Sequence, residues 1–459
     1  MRDCRYPLKW TEIHLDAVSH NYRILREKMG PAVELMGVVK AEAYGHGAVE
    51  VARHLEKLGV DQLGVAIVEE GLELRGAGIK SPIVVLTGAN SGEFGLVMEG
   101  GLIPVLHQME MAEALNAFAQ ERKKKIPVHL KFNTGMNRLG FSLRELPSLL
   151  NWWREWKGLE VIGVMTHLAC GDQPDHELTR EQRRCFDFIL REIEECGLKI
   201  RYAHLAASSA VLSGYGYGDR FNLVRSGLAL YGESPFQKSA TSLQCDQGRF
   251  ISDGEILRGS FTAFKDMVYP RAKRRAQDDN PAQDDKLVQD DEGTAQGQDG
   301  KCGDSNDRQS AQYEKSYLLG LAMELRPVME VKTRVLALQD VHAGESVSYG
   351  AAFRCERESR IAVLPFGYAD GYCRAPKNCS VLLSGKQAPV VGNVCMDLMM
   401  VDVTEIGSIE VGDEAVLLGA QGPARISAGE LAERFGTIPY DVLCRLSGRG
   451  IKSYMVESL

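Results

Sequence analysis

The stretch LMGVVKAEAYGHG, Leu35 to Gly47, decides the reading of the fold. It opens as a short apolar run, ends on an amine at Lys40, and sets Tyr, His and two glycines behind that amine. No G-x-G-x-x-G follows, so the phosphate turn expected after the first strand of a doubly wound sheet is missing. Seven further apolar runs repeat the theme: QLGVAIV (62–68), PIVVLTG (82–88), GLIPVLH (101–107), PVHLKFN (127–133), VIGVMTH (161–167), RYAHLAA (201–207) and NLVRSGLALYG (222–232). Between them lie amphipathic segments such as AVEVARHLEKLG and REQRRCFDFILREIEECG, with apolar residues three and four apart. Eight strands alternating with helices predict an α/β fold of the TIM type, a (β/α)8 barrel over residues 1–235, with an open doubly wound sheet as the competitor.

The texture changes near Leu318. MEVKTRVLAL (329–338), RIAVLPFGY (360–368), APVVGNV (388–394) and EAVLLG (414–419) are short alternating runs with turn signals, which predict a separate all-β C-terminal domain over 318–459. The intervening 236–317 reads as an insertion, largely disordered from about 270, where a basic cluster RAKRR gives way to acidic repeats of QDD. The 459 residues are 44% hydrophobic and 25% charged, ordinary for a globular protein. Net charge is 54 − 62 = −8, which gives no electrostatic case for nucleic acid or an anionic membrane. The eleven cysteines show no Cys-x-x-Cys pair or His/Cys ligand spacing. Free thiols in a cytoplasmic protein, without a metal site, are the expectation.

In a barrel, polar groups at the carboxyl ends of strands face the active site. Lys40 ends the first strand, Lys131 lies in the fifth with Arg138 beyond it, and His167 ends the sixth. Ser208 follows the seventh, and Arg225 lies in the eighth. Each alone has an ordinary structural explanation as a cap, a core histidine or a snorkelling lysine. Six converging on one rim point to function. The loops SSA and SGLAL, after the seventh and eighth strands, offer hydroxyls and backbone N–H groups suited to a phosphate dianion. An amine across the rim from a phosphate site is the layout of a pyridoxal-phosphate enzyme. Arg225 is then the candidate facing the cofactor's pyridine nitrogen, because a permanent cation discourages protonation there.

VVKAEAYGHG, LKFNTGMNRLGF, MTHLA, VRSGLALYG, VSYGAAF, FGYADGYCR, VVGNVCMDLMMVD and IPYDVLCR, in that order, resemble the alanine racemase family, outside about 236–317. The resemblance implies a pyridoxal 5'-phosphate isomerase that interconverts L- and D-alanine by two bases, supplying D-alanine for peptidoglycan. Lys40 matches the lysine that holds the cofactor as a Schiff base and serves the D face. Tyr349 matches the second base, for the L face, contributed across a homodimer interface. Tyr44, Ser208, Gly227, Leu228 and Tyr440 match the phosphate contacts. Arg138 matches the arginine shared by cofactor and substrate, and Lys131 a lysine carbamylated in many members. His167 and Arg225 match a cationic pair linking the second base to the pyridine nitrogen. Met396 matches a substrate contact; Tyr368, Arg374, Cys395 and Asp397 match its supporting and access residues. The chain departs at Glu42, Asn133 and Ala207, where Asp or Asn, Asp, and Asn are common. A racemase of serine or of broader range shares nearly all these motifs. Two further alternatives are a barrel-type amino-acid decarboxylase, against which Arg225 argues, and a cofactor-carrier protein, against which the second domain argues.

Overall fold

The computed structural model describes residues 7–234, 324–447 and 449–456. The insertion at 236–317 lies outside the described residues. All eight apolar runs form strands: β2 (Glu34–Val38), β3 (Gln62–Val65), β4 (Ile83–Val85), β5 (Leu102–Leu106), β6 (Ile126–Lys131), β7 (Leu159–Met165), β8 (Tyr202–His204) and β9 (Leu223–Ser226). They pair in parallel, in sequence order, with β9 also joined to β2. Between β8 and β9 the seam is narrower. It is held by the single bridge Ala207↔Arg225 and by Asn222, whose amide donates to Arg201 O and accepts from Ala203 N. Strand interiors such as Leu63, Val85, Val105, Val128 and Val224 are fully buried, as a sheet covered on both faces requires.

The first strand of the chain, β1 (Lys9–His14), is not a barrel strand. It runs antiparallel to β10 (Met329–Arg334) and parallel to β20 (Ile451–Met455), so this strand is built into the second half. That half is a mostly antiparallel ten-stranded sheet. It also carries two helices, Ala428–Phe435 and Pro439–Leu446, within the region expected to be all β. Ser427 caps the first of these by accepting from Glu430 N while Glu430 reaches back to Ser427 N. A proline occupies the first position of the second. Both are short, about two turns, and escape a reading tuned to alternation. Tyr440 therefore sits on a helix, not on a strand. One continuous hydrophobic cluster runs from the barrel helices into the second sheet, from Leu25 and Val51 to Val416 and Leu443.

Candidate active site

A cavity of about 900 Å³ opens at the carboxyl ends of the barrel strands. Lys40, Tyr44, Lys131, Arg138, His167, Ser208, Arg225, Gly227, Leu228 and Tyr440 all line it. Lys40 stands two residues past β2, at the start of an unusual turn. Ala41, Glu42, Ala43 and Tyr44 have φ of 51°, 56°, 53° and 56°, a single left-handed turn made without glycine. Each L-residue there is strained by about 1 kcal/mol or more. The strain is offset by distant partners. Glu70 accepts from Ala41 N at 2.7 Å, and the Tyr44 ring packs 5.0 Å from Tyr231 and 5.8 Å from Tyr440.

Across the rim, Ser208 Oγ accepts from the N–H groups of Gly227 (3.0 Å) and Ala229 (3.2 Å). A Cβ on Gly227 would come within 2.4 Å of the Tyr44 hydroxyl, so that hydroxyl lies directly over the glycine backbone. Hydroxyls and N–H groups thus converge where the resemblance puts a phosphate. The donor set fits one. Asn133, despite departing from the usual Asp, organises the loop that carries Arg138: its Oδ1 accepts from Gly135 N and Asn137 N.

The cavity wall holds four cations, Lys40, Lys131, Arg138 and Arg225, against one carboxylate, Asp172. Burial and the Arg138 guanidinium lower the Lys40 pKa. Burial and the Arg225, Arg138 and Lys40 charges push Lys131 down to about 8. Arg225 is drawn down to about 9, chiefly by burial and also by Arg138. His167, held well below its usual range by burial and Arg225, accepts from Arg225 Nη2 at 3.0 Å. The pair expected to be cationic therefore owes its charge to Arg225 alone.

Tyr349, Tyr368, Arg374, Cys395, Met396 and Asp397 do not line this cavity. They form a second cluster on the β half. Asn393 donates to Tyr349 O, Tyr368 N donates to Cys395 O, and Val394 N donates to Arg374 O. Arg449 holds Asp397 at 2.7 Å. The cluster faces outward: Tyr349 is 70% and Met396 55% exposed.

The matching families state the relationship directly. The model for the alanine racemase N-terminal domain matches residues 13–235, and that for the C-terminal domain matches 328–454. The chain belongs to the alanine racemase family. Among alanine racemase relatives, "Alanine racemase 2" of Caldanaerobacter subterraneus is 33% identical over 97% of this chain and 94% of its own. The alanine racemase of Geobacter sp. is 34% identical over 96% and 97%. The Clostridium difficile alanine racemase structure superposes with a TM-score of 0.75 at 30% identity, covering 98% of this chain and 97% of that one. The structure from Bartonella henselae, described with covalently bound pyridoxal phosphate, has a TM-score of 0.72 at 25% identity, over 98% and 100%. Family members are pyridoxal-phosphate enzymes, and the cradle and amine described above suit that cofactor.

Sequence reasoning overlooked His129, His204, Thr166 and Glu70. His129 stands two residues before Lys131 on the same strand, hence on the same face, and that period was the available signal. Glu70 acts through a backbone N–H and leaves no pattern. Among the described residues no helix is long and apolar enough to cross a membrane.

Proposed function

We propose that the protein is an alanine racemase whose working site is completed by a second copy of the chain. The observation that carries this reading is the partition of its residues. All nine candidates expected to hold cofactor line one cavity together with Lys131, while the second base and its companions lie exposed elsewhere on the same chain. A two-fold dimer, in which one patch meets a different patch of its mate and the reverse, brings the clusters together twice.

Pyridoxal phosphate, when bound, spreads over its conjugated ring the charge left when the substrate's Cα loses a proton. Lys40 would hold its aldehyde; Ser208, the Gly227 and Leu228 backbone, Tyr44 and Tyr440 would hold its phosphate. Lys40 Nζ, made a weaker acid-holder by burial and Arg138, takes or returns the Cα proton on one face. Tyr349 Oη of the partner subunit serves the opposite face. Arg138 offers an unpaired guanidinium to the substrate carboxylate; no ion pair to it forms among the described residues. Met396 of the partner subunit bounds the substrate, with Tyr368, Arg374, Cys395 and Asp397 shaping its approach. Lys131, at about 8, has a sizeable neutral fraction near neutral pH, as addition of carbon dioxide requires. A carbamate there would place an anion among the three remaining cations, Lys40, Arg138 and Arg225.

The test is a substrate panel. Purified protein loaded with pyridoxal phosphate should carry either alanine enantiomer to an equal mixture, read by polarimetry. A faster rate with serine than with alanine would overturn the substrate assignment.

A further inference from the structure

Beneath the cavity floor runs a chain of hydrogen bonds through the barrel interior. Arg225 Nη1 lies 2.8 Å from His204 Nδ1, and His204 Nε2 lies 2.8 Å from His129 Nδ1. All three side chains are buried: 4% exposed for Arg225 and 0% for both histidines. A guanidinium only donates. His204 Nδ1 must therefore present a lone pair, which leaves the proton of a neutral ring on Nε2. That proton obliges His129 Nδ1 to accept, so the His129 proton sits on Nε2. This last atom is buried without a partner. The direction of the whole chain follows from its charged end.

The arrangement needs room that one residue supplies. His129 belongs to β6 and His204 to β8, with β7 between them. The β7 residue in register with His129 is Gly163. A Cβ there would fall 2.4 Å from His129 Nδ1. The missing side chain is what lets the two imidazoles meet over the intervening strand.

We propose that His204 and His129 are positioning residues for Arg225, holding the guanidinium by ring lone pairs so that it is oriented without being neutralised. The other partners of Arg225 agree: Nη2 donates to Thr166 O, Leu205 O and His167 Nδ1. Among the described residues no carboxylate pairs with Arg225, and its Nε forms no bond, leaving that N–H to the cavity. A carboxylate in place of His204 would hold the same geometry but cancel the charge. Burial and Arg225 also depress both rings, His129 to about 3, which keeps them neutral as the scheme demands.

The inference rests on the proposed racemase reading for its kinetic arm only. The first arm is 15N magnetic resonance of histidine-labelled full-length protein without substrate, assigned through single His variants. Both rings should be neutral with the proton on Nε2. An Nδ1 proton on His204, or a charged ring at pH 7, would overturn the proposal whatever the enzyme's substrate. In the second arm, His204→Leu should lower kcat about tenfold with little change in KM. His204→Gln, whose amide can accept from Arg225 and donate to His129, should restore most of that loss. Gly163→Ala should shift the His204 15N resonances without removing either ring. Equal losses in the Leu and Gln variants, matched by equal drops in Tm, would mean the histidine only fills space.

Discussion

The barrel cavity and the outward cluster on the β half hold their candidate residues in contrasting physical states. Around the cavity, Lys131 and Arg225 are buried with lowered pKa values, and hydrogen bonds fix Arg225 before any ligand arrives. On the β half, Tyr349 and Met396 lie in solvent, on loops joined by backbone bonds and by the Asn393 side chain. One region has already met the cost of burying polar groups. The other, on the proposed dimer, would meet it on association. On that reading the site is silent until two chains combine, and substitutions in the two regions should differ accordingly.

The largest effect belongs to the amine. Lys40→Ala should reduce racemisation by at least about 10^4, because it removes both the cofactor's anchor and one base. Residual activity above a hundredth would break the assignment of the barrel as the chemical half. Next comes complementation. Lys40→Ala and Tyr349→Phe are each expected to be severely impaired as homodimers. Mixed, unfolded and refolded together, they should regain activity at about one quarter of sites, because half the dimers are hybrids with one intact site each. No recovery in a mixture shown to contain hybrids would mean that both bases act within one chain.

A smaller effect concerns Lys131. Its pKa is lowered from 10.5 to about 8, so the folded state carries a buried charge at a cost of about 3 kcal/mol below pH 8. Between pH 8 and 10.5 the folded lysine is neutral while the unfolded one still binds a proton. Stability from this group therefore rises with pH across that window. In bicarbonate-free buffer, Lys131→Met should raise Tm at pH 7, and the gain should fade above pH 8. Added bicarbonate should raise the Tm of the parent but not of the variant. A lower Tm for Lys131→Met at pH 7 would indicate that the position already holds an anion. The smallest effect is at the left-handed turn. Ala41 is exposed with φ of 51°, so Ala41→Gly should stabilise by about 1 kcal/mol, or about 2–4 °C in Tm.

All eight barrel strands were legible because each is a short, continuous apolar run between helical segments, the signature of a sheet buried on both faces. The rim residues were legible because they fall where those runs end. What the sequence could not display were relations between distant segments. β1 joins a sheet more than three hundred residues away, and its six residues carry no mark of their partner. His129 and His204 look like two strand histidines, and only the missing side chain of Gly163 makes them one device. The separation of Tyr349 from the cavity follows from tertiary placement, not from spacing in the chain.

The left-handed turn after Lys40 bears on the order in which the protein is made. A turn of that hand cannot persist on local preference, and what holds it arrives late: Glu70, then Tyr231, then Tyr440 on a helix near the C-terminus. Lys40 is made before every one of these partners and is aimed only after the last of them. On the proposed reading, aldehyde capture by Lys40 becomes a proofreading step for folding, since a chain whose second half has not docked offers a lysine with no fixed direction. During refolding, the cofactor's absorbance change should trail the protection of amides in Pro439–Leu446. Capture that precedes this protection would show the turn to be self-sufficient.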